Sequence, residues 1–146
     1  MAITQAIANS FKKELLEGEH DFSQTTGDVF KLALYVSTAT LSSATTSFTT
    51  SGEVSPASSY TSGGKDLVNL GTSLVTGVAK VDFDNLSFTN ITVTARGALI
   101  YNTSATATNA AVAALDFGGD KTATSGTFTI QFPAATNTSA IIRISG

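Results

Sequence analysis

The chain has 146 residues, eight Lys plus Arg against eleven Asp plus Glu, a net charge of −3 and only 13% charged residues. That length makes one domain able to bury a core, and unclustered basic residues in an acidic chain exclude a nucleic-acid footprint. With no Cys and a single His, disulfide scaffolds, thiolate chemistry and multi-His metal centres are excluded, and any His-dependent catalysis rests on His20.

The chain opens on apolar residues four apart, Ile3, Ile7, Phe11 and Leu15, with Leu16 beside the last. This spacing predicts an amphipathic helix over residues 1–18, with Thr4 as its N-cap and Gly18 as its C′ stop. Its apolar stripe has two uses: packing on its own domain or on a neighbouring subunit. Residues 19–146 are expected to form the β-domain, with the two stretches making one structural domain.

Past Gly18 the period falls to two. Residues 29–36 (VFKLALYV) are apolar on both faces apart from Lys31, the pattern of a central strand. Residues 37–64 are mostly Ser, Thr, Ala and Gly, and predict either a weak strand near 45–54 or a long surface loop. Short strands follow at 67–70, 78–83, 91–95, 98–101, 110–117, 127–132 and 140–145. In 78–83, Ala79, Val81 and Phe83 point one way and Lys80 and Asp82 the other. Arg96-Gly97 is expected to form a bulge, and residues 118–121 (GGDK) a turn. The predicted core holds Leu32, Leu34, Val81, Phe128, Ile130, Phe132, Ile142 and Ile144. The predicted fold class is mainly β: an antiparallel sandwich, jelly-roll or immunoglobulin-like, of seven or eight short strands behind one helix. A small closed barrel is the alternative.

No catalytic template is complete. There is no Gly-x-Ser-x-Gly elbow, and His20 sits in the polar link Glu19-His20-Asp21, where a flexible, exposed imidazole is expected. Asp82 and Asp84, on one strand face on either side of Phe83, read as a solvated outer face or turn, with a weak Ca²⁺ site alongside Asn85 as the alternative. Arg96 and Arg143, the two arginines, each lie in an apolar run and need a carboxylate, Asp116 or Asp82 within the chain or one across an interface. No catalytic residue, metal or cofactor is therefore expected. The first 17 residues carry Lys12, Lys13, Glu14 and Glu17 rather than an apolar signal region, and no apolar run approaches the roughly 18 residues of a membrane span. Synthesis in a cytoplasm is expected, with no membrane partner.

Several stretches together carry a resemblance. They are residues 6–18 (AIANSFKKELLEG) with His20-Asp21-Phe22, Phe30-Lys31-Leu32-Ala33-Leu34-Tyr35, Gly52-Glu53-Val54, and Tyr60-Thr61-Ser62-Gly63-Gly64. Further on come Ala98-Leu99-Ile100-Tyr101-Asn102, Asp116-Phe117-Gly118 and residues 126–133 (GTFTIQFP). The sequence resembles a family of small virion structural proteins of tailed bacteriophages. It departs from that pattern at residues 55–59, where the family's Gly-rich spacing is replaced. The resemblance implies a non-enzymatic virion component made in the host bacterial cytoplasm. The expected role is capsid decoration, or cement, with the major capsid protein or other virion proteins as partners and a homo-oligomeric state. A tail, collar or fibre-attachment part and a carbohydrate-binding adhesion module are the alternatives. Expected interface residues are Ile3, Ile7, Phe11 and Leu15 on the helix, Phe48, Val54 and Tyr60 in the Ser/Thr-rich segment, and Arg96.

Overall fold

The computed structural model describes residues 2–57, 59–136 and 138–145, so the outermost residues of the two predicted stretches, Met1 and Gly146, lie outside the described residues. The chain is mainly β, with two antiparallel sheets and one short helix sharing a core. In chain order the elements are β1 (Ala6–Ile7), α1 (Asn9–Leu16), β2 (Phe30–Tyr35), β3 (Lys65–Asp66), β4 (Asn69–Val75), β5 (Val78–Phe83), β6 (Leu86–Asn102), β7 (Ala110–Ile130) and β8 (Ile142–Ile144). The larger sheet runs β1-β7-β6-β2-β3 and the smaller β4-β5-β8.

β2 is the central strand that its sequence predicts. Phe30, Leu32, Ala33, Leu34 and Tyr35 are all buried, so both faces are covered. Its inner edge pairs with β6 over its whole length, Phe30 opposite Asn102 and Tyr35 opposite Gly97. β3 closes one end of the outer edge. Residues 37–64 close the other, where Val54 N–H donates to Leu34 O at 3.0 Å and Val36 N–H to Gly52 O at 2.9 Å. That segment is neither strand nor loose surface loop. It crosses the domain through isolated bridges at Leu41, Ser47 and Glu53, and it buries Ala39, Leu41, Val54 and Tyr60.

Four predicted short strands merge into two long ones. β6 joins 91–95 to 98–101 through the expected irregularity at Arg96, and β7 joins 110–117 to 127–130. The turn predicted at 118–121 does not form. Gly97 pairs with Asp116 and Ala95 with Lys121, so residues 117–120 stand opposite Arg96 alone, as a large bulge of four residues against one. Gly118 takes the positive φ expected of it, +81°. The chain nevertheless runs on, because β6 continues alongside and supplies the next hydrogen-bonding partners. Further register shifts lie between Phe88 and Ile91 and between Ile91 and Val93. Bulges bend a strand and sharpen its twist, so one ribbon serves two layers. Its turn end lies between β1 and β2. Its far end lays Leu86, Phe88, Ile91 and Val93 on the core and keeps Thr89, Thr92 and Thr94 in solvent.

The helix is shorter than its periodicity implies. α1 starts at Asn9, after an extended Ala8 with no side-chain cap. Ala6 and Ile7 pair with Ala114 and Ala113, and Thr4 N–H donates to Leu41 O at 2.8 Å. Hydrogen bonds offered by the edge of β7 override helix propensity here, and Thr4 caps nothing. The C-terminal stop is as predicted: Gly18 at φ +78° closes a Schellman motif, Glu19 N–H donating to Glu14 O at 2.9 Å and Gly18 N–H to Leu15 O at 3.2 Å.

Three further expectations change. Ile144, placed in the core by alternation, is 56% exposed, because β8 runs past the end of the layer that covers Ile142. Phe132 lies beyond the end of β7, half-buried with its ring 5.8 Å from that of Phe83. Lys80 is buried rather than outward. Phe128 and Ile144 therefore separate two classes of site. Phe128→Ala should cost about 3–5 kcal/mol in denaturant unfolding, and Ile144→Ala less than about 1 kcal/mol.

Candidate interaction surface

Two side-chain networks, one around His20 and one around Glu53, and the Arg96–Asp116 ion pair hold the polar groups that could suggest chemistry. His20 is not the exposed imidazole expected from its polar neighbours. Its side chain is fully buried, with its ring 4.7 Å from that of Phe11 and 6.4 Å from that of Phe30. Nε2 lies 3.0 Å from Glu14 Oε1, and Nδ1 lies 3.0 Å from Asn102 Nδ2. Asn102 is oriented by Ser104, whose backbone N–H donates to Asn102 Oδ1 at 2.8 Å. The amide nitrogen of Asn102 therefore donates twice, to His20 Nδ1 and to Asp28 Oδ2 at 2.7 Å. His20 Nδ1 must accept, so the ring proton sits on Nε2 and is donated to Glu14. With both ring nitrogens engaged inside the core, His20 ties α1 and the following link to β6 and has no lone pair to offer a substrate.

The second network holds residues 37–64 in place. The Glu53 carboxylate accepts from Tyr60 OH at 2.8 Å, Gly63 N–H at 2.6 Å and Ser62 OH at 2.9 Å. Tyr60 oxygen in turn accepts from Leu34 N–H at 2.9 Å, completing the outer edge of β2 with a side chain. Tyr35 OH donates to Thr49 O at 2.6 Å, and Tyr101 OH donates to Gly63 O. The chain can approach this closely only because Gly64, at φ +83°, has no Cβ. An added one would lie 1.8 Å from Leu32 O. Burial pushes the Tyr101 phenol up to about 12, helped by the nearby Glu53 and Asp66 charges. Burial raises Tyr35 and Tyr60 as well.

Arg96 chooses Asp116, Nε donating to Oδ1 at 3.0 Å across the ribbon. Asp116 is held below the usual carboxylate range, first by Gly118 N–H and then by Arg96. Asp82 and Asp84 do not converge with Asn85 on a common point. Asp84 Oδ1 accepts from Asn85 N–H and Asn85 Oδ1 from Phe132 N–H. Among the described residues no group of three His, Cys, Asp or Glu side chains is placed to hold a metal.

The eight expected interface residues serve this chain's own fold. Ile3, Phe11, Val54 and Tyr60 are buried in the core, Ile7, Leu15 and Phe48 pack against it half-buried, and Arg96 is paired internally. The apolar side chains left to solvent are others. Leu16 is 91% exposed, Leu74 is 74% exposed, and Ile144 joins them. Leu16, Leu15, Ile142 and Ile144 line one groove of about 280 Å³ between α1 and β8. A second apolar pocket, of about 140 Å³, shares Leu15, Ile142 and Ile144 and reaches Ala79. Leu74 and Ile144 flank Ala79 in register on either side. Leu16 was visible in the sequence as the residue beside the stripe. Leu74 gave no signal, because exposure at the end of a strand depends on where the opposing layer stops.

Two consequences are measurable. The unfolded chain loses its phenol protons near the ordinary 10.0, before folded Tyr101 does at about 12. The stability contributed by the neutral phenols is therefore complete below that ordinary value and disappears as pH rises toward the folded one. The melting temperature should fall across that window, in step with tyrosinate absorbance. Asn102→Ala leaves the buried Nδ1 of His20 without a donor and takes one donor from the half-buried Asp28 carboxylate. It should cost more than about 2 kcal/mol in denaturant unfolding.

A scan against protein-family models finds no match for this chain, and searches of curated proteins and of solved structures find none either.

Proposed function

We propose that this chain is a non-enzymatic virion structural protein of a tailed bacteriophage, acting as a capsid decoration protein that docks on the major capsid shell. The observation that carries the docking is the exposed apolar patch of Leu16, Leu74 and Ile144, continuous with the groove between α1 and β8. Burying such a patch against a partner contributes roughly 25 cal/mol per Å² of apolar area before association costs. The sequence resemblance and the low charge support the same reading, since charged side chains are depleted at interface cores. The groups that suggest chemistry, His20, Glu53 and the three Tyr, are committed to internal hydrogen bonds. A glycan-binding module would need exposed aromatics, and Tyr35, Tyr60 and Tyr101 are all buried.

Because Ala8 and Phe11 are core residues, truncating the helix would unfold the domain, and point variants are the sharper probe. Leu16→Asp and Ile144→Asp should leave the melting temperature nearly unchanged and sharply reduce occupancy on purified particles. Quantitative mass spectrometry of those particles should give on the order of hundreds of copies for a capsid part. A tail or collar part would give a small multiple of three or six, by symmetry. A low copy number rejects the decoration role, and full occupancy of both variants rejects this patch as the docking face.

A further inference from the structure

The outer edge of β7 is bare over its second half. Its inner side pairs with β6 from Ala110 to Ile130, but on its outer side β1 reaches only Ala113 and Ala114. Side chains extend that cover a little, Gln5 Oε1 accepting from Asp116 N–H and Asp116 Oδ1 from Gly118 N–H. Past the bulge at 117–120 no strand covers the outer edge among the described residues. An open groove of about 430 Å³ runs there, lined by Phe117, Lys121, Thr122 and residues 127–131, all from β7 and its immediate continuation. A groove walled by five consecutive residues of one strand, inward-facing and outward-facing alike, is that strand's open edge.

The backbone of this edge is presented outward. Lys65 donates to Ser87 O, and Ser59 OH to Thr89 O, so these β6 carbonyls are engaged by residues outside the ribbon. Ser87, which faces Thr129, therefore does not exchange ladder bonds with it, and the two hydroxyls sit 2.9 Å apart as in a close, non-hydrogen-bonded pair. Thr129 N–H and C=O consequently point away from β6, as do those of Thr127 and, continuing the alternation, Gln131.

Native proteins guard such edges with charge, proline or cover. This one has a bulge and Lys121 at one end and Pro133 beyond the other, with no charged residue anywhere between Lys121 and Arg143. The sequence 127–131 (TFTIQ) is also self-complementary in the antiparallel sense. A two-fold axis at Thr129 sets Phe128 opposite Ile130 of a second copy, Thr127 opposite Gln131, and Thr129 opposite itself. Apolar meets apolar, polar meets polar, and no like charges oppose each other.

We propose that two copies of this chain pair antiparallel along the outer edge of β7 at residues 127–131, with Thr129 exchanging both backbone hydrogen bonds with its own counterpart. The interface is isologous, adds one strand from each copy to the other's sheet, and does not depend on the virion reading. Sedimentation velocity on the full chain across a dilution series tests it. The wild type should dimerise. Thr129→Lys, which opposes two ammonium groups at the axis, should weaken dimerisation by more than about tenfold, and Ser73→Lys on β4 should leave it unchanged. Circular dichroism checks that Thr129→Lys is folded, and Thr127→Lys replaces it if it is not. A monomeric wild type overturns the proposal, as does a dimer that survives the charge at the axis. A monomeric wild type whose Thr129→Lys variant loses particle occupancy assigns the edge to a shell protein instead, and also overturns it.

Discussion

β2 is apolar on both faces, and a strand buried on both faces must have both edges closed without water. Much of the molecule answers that requirement. The β6–β7 ribbon closes one edge along its full length, and the other is closed piecemeal by β3, the carbonyl of Gly52, the amide of Val54 and the hydroxyl of Tyr60. The order of the described residues of the 37–64 segment follows. A segment poor in large side chains is held because its backbone completes a buried strand, and Glu53 fixes the one tyrosine that acts as a surrogate strand residue.

What the sequence made legible was whatever local periodicity decides. β2 and β5 appear where their apolar-rich runs place them, the irregularity falls at Arg96, and α1 stops at Gly18. What it hid depended on partners far along the chain. Ile3 and Ile7 have helical spacing, but Leu41 and β7 offer their stretch hydrogen bonds that a helix would forgo. The glycines at 118 and 119 mark a turn only if the neighbouring strand also ends there, and β6 does not. His20 lies between charged residues in sequence yet between Phe11 and Phe30 in space, and no local pattern reveals Asn102 waiting for it.

The burial of the helix stripe was not legible in the sequence. The helix was recognised as an apolar stripe, and the structure spends most of that stripe on the protein's own core. Leu16, next to the stripe, remains outside. Edge exposure is a property of where layers stop, and only tertiary structure sets that.

The pairing of β1 with β7 bears on the order in which the protein folds. Ala6 and Ile7 find their strand partners at Ala114 and Ala113, and Phe11 and His20 pack where β6 delivers Asn102. These pairings join residues far apart along the chain, so a long loop must close before they form. The ribbon, by contrast, is a single hairpin whose pairing starts with close neighbours, Asn102 opposite Ala110, and extends outward to Leu86 opposite Ile130, and local contacts form fastest. The turn end of the ribbon is therefore expected to form before β1 docks on it. Until then Ile3, Ile7 and Phe11 lack their native partners, and transiently exposed apolar side chains of this kind are what make folding intermediates prone to association.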